Sequence, residues 1–251
     1  MTTKDGPELR QLGFTGPKVF PLALGCMGMS GMYGYADQNE SIAAIHAALD
    51  QGITLIDTGD FYGMGLNEML IGRALKDRRE KVLLSVKFGA LRSPDGAWLG
   101  FDAHPSAVKN FLAYSLNRLG VDHIDIYRPS RLDHNVPIEE TVGAIVDLIK
   151  AGYVRYVGLS EVGPKTIRRA HAIHPISDLQ IEYSLISRGP ETGIFPVDCS
   201  AGPSRLRKAI SGPTSHVSAE KTSIVTDVSR KRCVACQSKR EFVLPNWQSP
   251  G

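Results

Sequence analysis

The sequence predicts an α/β fold, a (β/α)8 barrel of the TIM type, carried incompletely as about six βα units followed by an irregular C-terminal tail. Three observations predict it. Short apolar runs alternate with helix-patterned stretches about every thirty residues. The runs lack polar alternation, as strands covered by helices on both faces require. Nearly every run also ends in a polar or ionisable residue: Asp57, Lys87, Arg128 with Ser130, Ser160 with Glu161, Gln180 with Glu182. An open doubly wound sheet satisfies the first two, but no run is followed by the G-x-G-x-x-G turn of the dinucleotide-binding version. A closed barrel gathers the polar strand ends into one ring, where such folds keep their active sites.

Taken in order, an apolar run at 22–24 precedes a helix over 40–50. There Ile42, Ile45, His46 and Leu49 recur at i, i+3, i+4 and i+7, and Gly52 stands just past the end. The run at 53–56 leads to a helix over 67–75. The run at 82–86 leads, after a long loop, to a helix over 105–119, where Ala107, Phe111, Tyr114, Leu116 and Leu119 share the pattern and Gly120 ends it. The run at 123–127 leads to a helix over 138–150, with Ile145, Leu148 and Ile149 on one stripe and Gly152 beyond it. The run at 154–159 leads to a helix over 164–174, and a last strand follows at 179–181.

Hydrophobic residues make up 42% and charged residues 22%, a globular balance that excludes disorder throughout. No uninterrupted apolar run is long enough to span a bilayer, and the N-terminus is polar, so no membrane association is expected. Four scattered cysteines do not form a disulfide scaffold, which points to the cytoplasm. The net charge of +3 hides an asymmetry. Through Pro196 there are 20 Lys and Arg against 22 Asp and Glu; beyond it, nine against four. Nine of the last 55 residues are Ser. The expected organisation is therefore a barrel-like part over 1–196 and a basic, Ser-rich tail over 197–251.

Asp57, Tyr62 and Lys87 are the candidate chemistry. If adjacent strands bring them together, an ammonium beside a phenol lowers the phenol's pKa and a carboxylate holds the ammonium, making Tyr62 a general acid near neutral pH. The alternative is a structural ion pair at a barrel rim, with Tyr62 as packing.

The strings LGCMGMS at 24–30, LIDTGDFYG at 55–63, NE at 67–68 with IGRAL at 71–75, LGVDHIDIY at 119–127 and GYVRYVGLS at 152–160 resemble the aldo-keto reductase family. The resemblance runs over about residues 9–194 and implies a barrel that reduces an aldehyde or ketone with NADPH, NADH being the alternative cofactor. The segment 9–20, with its turn at 13–16, resembles the hairpin that closes such a barrel's bottom. Carried over by position, Asp57, Tyr62 and Lys87 match three of the family's four catalytic residues, with Tyr62 as proton donor tuned by Lys87 and Asp57. Ser130 stands at the fourth position, normally His, so an altered substrate range or reduced rate is expected. His123 and His134 are read as surface residues rather than replacements. The resemblance gives Ser160, Glu161 and Gln180 the nicotinamide carboxamide, and lays Gly25, Cys26 and Met27 against the cofactor beside Asp57. Glu161 stands where Asn is frequent, and a carboxylate accepts but does not donate.

The family's later strands, which bind the adenosine 2′-phosphate, have no counterpart beyond Pro196. The abrupt change resembles a reading-frame change or an alternative terminus. Weak NADPH binding with poor discrimination against NADH is the expected consequence. Open sheet edges invite an oligomer, and Pro203, Pro213, Pro245 and Pro250 argue against regular strands in the tail. Cys233 and Cys236 lack the further ligands a zinc site needs, and the tail's basic residues lack interleaved aromatics, so neither metal nor nucleic acid is expected. The partner expected is a small carbonyl substrate. The rival reading is a catalytically impaired barrel remnant acting as a binding protein.

Overall fold

The computed structural model describes residues 9–194 and 223–226. Two short strands, β1 (Arg10–Gln11) and β2 (Lys18–Val19), form an antiparallel hairpin. Then follow β3 (Leu24–Gly25), α1 (Gln38–Asp50), β4 (Leu55–Gly59), α2 (Leu66–Leu75) and β5 (Leu83–Phe88). A second hairpin, β6 (Ala90–Arg92) and β7 (Trp98–Phe101), precedes α3 (Pro105–Leu119). The chain continues through β8 (Ile124–Pro129), α4 (Ile138–Lys150), β9 (Val154–Ser160), α5 (Pro164–Ile173), β10 (Ile176–Glu182) and a short α6 (Pro190–Gly193). A last strand, β11, covers Ser223–Thr226.

Strands β3, β4, β5, β8, β9 and β10 pair in parallel and in sequential order, a half-barrel with helices on its outer side. Local signals explain the helix ends. Asp37 caps α1 by accepting from the N–H groups of Asn39 (2.8 Å) and Glu40 (2.9 Å). Prolines at the first turn start α3 and α5, and Gly120 ends α3 in the left-handed region. Outward residues of the strands, Ile56, Leu84, Val157 and Leu159, join Ile45, Ile71, Leu112, Ile145 and Ile167 from the helices in one core. A smaller core of Leu12, Val19, Leu55 and Ile126 seals the inner face from below, beneath the first hairpin.

Several expectations are corrected. The apolar runs end too early: β4 continues from Ile56 through Asp57 to Gly59, β5 through Lys87 to Phe88, and β8 through Arg128 to Pro129. The backbone goes on pairing where the side chains turn polar. The long loop before α3 contains the β6–β7 hairpin. The expectation of no regular strand in the tail is also overturned, because β11 pairs antiparallel with β10 from Leu179↔Thr226 to Glu182↔Ser223, between the prolines rather than across them. Among the described residues no helix is long and apolar enough to cross a membrane.

Candidate active site

Register places the predicted residues before any side chain is considered. Asp57 pairs with Gly25 on one side and Ser85 on the other, Gly59 with Lys87, Lys87 with Arg128, Asp178 with Gly158, and Gln180 with Ser160. Side chains alternate along a strand, so Asp57, Ser85, Lys87, Arg128, Asp178 and Gln180 all project inward, above the apolar seal. They form one buried network. Lys87 is ion-paired with Asp57 Oδ2 and donates to Gln180 Oε1 (2.9 Å). Ser85 Oγ donates to Asp57 Oδ1 (2.9 Å), and Arg128 Nη2 donates to both Ser85 Oγ and Asp178 Oδ2, each at 2.7 Å. Two cations and two carboxylates offset one another.

Burial pushes the Asp57 carboxyl up, but the facing charges of Lys87 and Arg128 more than reverse this and hold it below its ordinary range. Burial also depresses the Lys87 ammonium; Asp57 opposes that shift, and Arg128 adds to it. Asp57 faces two cations, whereas Lys87 faces the Arg128 cation as well as the carboxylates of Asp57 and Asp178.

Tyr62 stands in the loop after β4. Backbone bonds hold this loop, the Asp60 N–H donating to the Lys87 carbonyl (2.8 Å). The fully buried Asn67 donates to the Cys26 carbonyl (2.7 Å) and Ser30 Oγ (3.0 Å) and accepts from Thr58 Oγ1 (2.6 Å), stapling the loop after β3 to β4. Tyr62 is 5% exposed, with Lys87 Nζ 5.2 Å from its ring centroid and the Phe61 ring edge-on to it at a centroid separation of 4.7 Å. The expected lowering of the Tyr62 pKa is not what this arrangement produces. Burial, followed by the Asp57 charge, pushes the phenol up. The Lys87 ammonium is bound to Asp57, so the pair presents little net positive field to the phenol.

Ser130 lies at the end of β8, its backbone N–H donating to Phe88 (2.8 Å), and its hydroxyl is buried with no hydrogen-bond partner among the described residues. Ser160 is buried at the end of β9 beside Gln180. Glu161 follows with φ +52°, a left-handed conformation costing about 1–3 kcal/mol in a non-glycine residue. Two bonds hold it there: its N–H donates to Gln180 (2.9 Å), and its Oε1 accepts from Glu182 (2.8 Å). Gly25 faces open space, with nothing within 4 Å of where a Cβ would stand. Cys26 is a free thiol in the outer core with Ile45 and Ile56, pushed up by burial, and Met27 begins a 3-10 turn. The structure thus brings together Asp57, Tyr62, Lys87 and Gln180, and buries the Cys26 thiol in the apolar core, within reach of the Asp57 and Lys87 charges.

His134 is exposed and lines a depression of about 360 Å³ with Phe101, Arg131 and Glu161, while His123 sits at the opposite end of β8. Asp102, His104 and Asp133 approach within 4.8 Å, but their carboxylates are engaged by the backbone N–H groups of His104, Ala103 and Asn135. Cys233 and Cys236 lie outside the described residues. The reading from spacing gave Ser85 and Asp178 no role and Arg128 none beyond a strand end. Their signal is the period of two that pairs each with an inward neighbour: Ser85 with Lys87, Arg128 with Ser130, Asp178 with Gln180.

The profile of the Aldo/keto reductase family matches residues 21–201. The "Probable aldo-keto reductase 1" of Glycine max is 46% identical over 191 residues, which is 74% of this chain and 54% of the relative. The "Aldo-keto reductase yakc [NADP(+)]" of Schizosaccharomyces pombe is 40% identical over 179 residues, 69% and 53% respectively. Among solved structures, the glycerol dehydrogenase AKR11B4 from Gluconobacter oxydans superposes with a TM-score of 0.69 at 30% identity, covering 75% of this chain and 59% of its own. The aldo-keto reductase AKR11C1 from Bacillus halodurans, in its holo form, gives 0.67 at 33%, covering 74% and 61%. The chain spans about half the length of the curated relatives it matches.

Proposed function

The chain belongs to the aldo/keto reductase family, and from that premise we propose that it reduces a small aldehyde or ketone to an alcohol with NADPH, Tyr62 giving the proton. The observation that carries this reading is the convergence of Lys87, Asp57 and the Tyr62 ring at the C-terminal ends of neighbouring strands.

The residues present fit a nicotinamide. Gly25 leaves space at the mouth of β3, and Ser160 and Gln180 stand side by side, with Gln180 held by Lys87 on its oxygen and by Asp57 on its amide side. NADPH, when bound, supplies the hydride; NADH is the weaker alternative, because a relative's name specifies NADP(+). Ser160, Glu161 and Gln180 hold the carboxamide. Tyr62 donates its proton to the carbonyl oxygen as negative charge develops there. Its raised pKa is compatible with this role, since an alkoxide is a stronger base than a phenolate and a buried phenol stays protonated until that moment. Lys87, held by Asp57, stands 5.2 Å from the centroid of the Tyr62 ring and fixes the phenol in place for the transfer. Ser130 offers a buried, uncommitted hydroxyl where the family carries an imidazole, and it donates a hydrogen bond to the substrate oxygen. The free, buried Cys26 suits action in the cytoplasm.

The test is NADPH oxidation followed at the nicotinamide absorbance with a panel of aliphatic and aromatic aldehydes and ketones. Carbonyl-dependent oxidation is expected. Cofactor binding without oxidation of any substrate would favour a binding protein and overturn this reading.

A further inference from the structure

Ser85 is fully buried between two groups that leave its hydroxyl a single orientation. Arg128 has donors and no acceptor, so Ser85 Oγ must accept from Nη2 at 2.7 Å. Asp57, ionised, has acceptors and no donor, so the one hydroxyl proton must point at Oδ1, 2.9 Å away. The other oxygen of Asp57 carries Lys87. Both carboxylate oxygens are therefore committed, and the rotamer of Asp57 is set from its Ser85 side.

We propose that Ser85 and Arg128 are positioning residues, forming a buried relay that fixes Asp57 and through it the Lys87 ammonium over Tyr62. The relay rests on the reading of Asp57, Lys87 and Tyr62 given above. Two further observations support it. Arg128 is anchored by Asp178 at 2.7 Å, and the pair fits only because residue 158 is glycine. A Cβ there would stand 2.5 Å from Asp178 Oδ1 and 3.2 Å from Arg128 Nε. The guanidinium is also a poor choice for stability alone. Its Nε and Nη1 are buried without hydrogen-bond partners among the described residues, whereas apolar side chains of similar volume often replace a buried ion pair without loss. What the guanidinium supplies is a fixed donor for Ser85 and a positive charge on the next strand, directly in register with Lys87.

The test follows the Lys87 ammonium directly, by the 13Cε shift of lysine-labelled protein across a pH series, with its resonance identified by its loss in Lys87→Met. Asp57 favours the charged form of Lys87, so releasing Asp57 lowers the Lys87 midpoint. Ser85→Ala should lower it by about half a pH unit or more, and Ser85→Thr, which keeps a hydroxyl, should restore it. Arg128→Lys keeps the charge near Asp178 but loses the planar fork that reaches Ser85 at the same time, so it should shift Lys87 the same way. It provides the readout if Ser85→Ala does not fold. In turnover, Ser85→Ala should lower kcat about tenfold with little change in KM, the loss of roughly one oriented hydrogen bond. A folded Ser85→Ala protein with an unmoved Lys87 midpoint would overturn the relay. Retained turnover in Tyr62→Phe would instead remove the catalytic reading, while the Lys87 titration would still decide the relay.

Discussion

At the scale of single residues, the chemistry reduces to which buried groups have partners. Tyr62→Phe removes the proton donor and leaves the ring packed on Phe61, so kcat should fall by about 100-fold or more while cofactor affinity barely changes, as steady-state kinetics with a cofactor titration would show. Asp178 and Arg128 are both fully buried. Asp178→Ala strands the guanidinium and should cost about 3–5 kcal/mol in urea unfolding; a loss under 1 kcal/mol would mean that Arg128 finds another partner or water. Asp60 lies behind the Tyr62 loop, its carboxyl pushed up to about 7 by burial and then by Glu68, against the opposing pull of the Gly89 N–H and Arg118. Its folded pKa exceeds an unfolded value of about 3.9, so the stability it contributes is fully present below about pH 4 and is lost as pH rises through about 7. Asp60→Asn should remove this dependence. The stability difference between parent and variant should shift in the variant's favour by on the order of 3 kcal/mol between pH 4 and pH 8, measured by chemical unfolding at both.

At the scale of elements, the strands explain both what the sequence pattern revealed and what it concealed. Apolar runs marked the start of β4, β5 and β8 but stopped short of Asp57, Lys87 and Arg128. Hydrophobicity reports which face is dry, while pairing depends on backbone groups that every residue carries except the N–H of proline. The helices were more legible, with α3 and α4 bounded as expected, because their ends carry chemical signals: proline at the start of α3, and Gly120 just past its end. The β6–β7 hairpin was invisible in a segment rich in turn residues. It brings Trp98 to 5.6 Å from Phe61, so the neighbour of Tyr62 leans on an element that no periodicity announced. The turn after Tyr62 also depends on glycine. Gly63 has φ +54°, and a Cβ there would meet Ser30 Cβ at 2.8 Å. Gly63→Ala should therefore destabilise the protein by about 1–3 kcal/mol and lower turnover through the displaced loop, read by unfolding and kinetics together.

At the scale of the whole molecule, six parallel strands form half a barrel, with β11 on the edge of β10 and two-residue β3 at the other end of the sheet. Among the described residues nothing pairs with the outer side of β3, and a second chain pairing along that side is the association we propose, with the exposed Leu22 next to it. Leu22→Lys should reduce concentration-dependent association in sedimentation velocity, since a charged side chain at an edge blocks strand addition; unchanged association would place the contact elsewhere. The sequence by itself determined the βα repeat, the family motifs and the residues gathered at the strand ends, because each is a local pattern of hydrophobicity, turn chemistry or residue identity. Only the tertiary structure decided how those residues are connected. It set the Cys26 thiol in the outer core and raised the Tyr62 pKa where the spacing had suggested lowering, and it joined Ser85, Arg128 and Asp178 to Asp57. These outcomes depend on register between strands dozens of residues apart and on the water that burial removes, and neither is written in any one stretch of sequence.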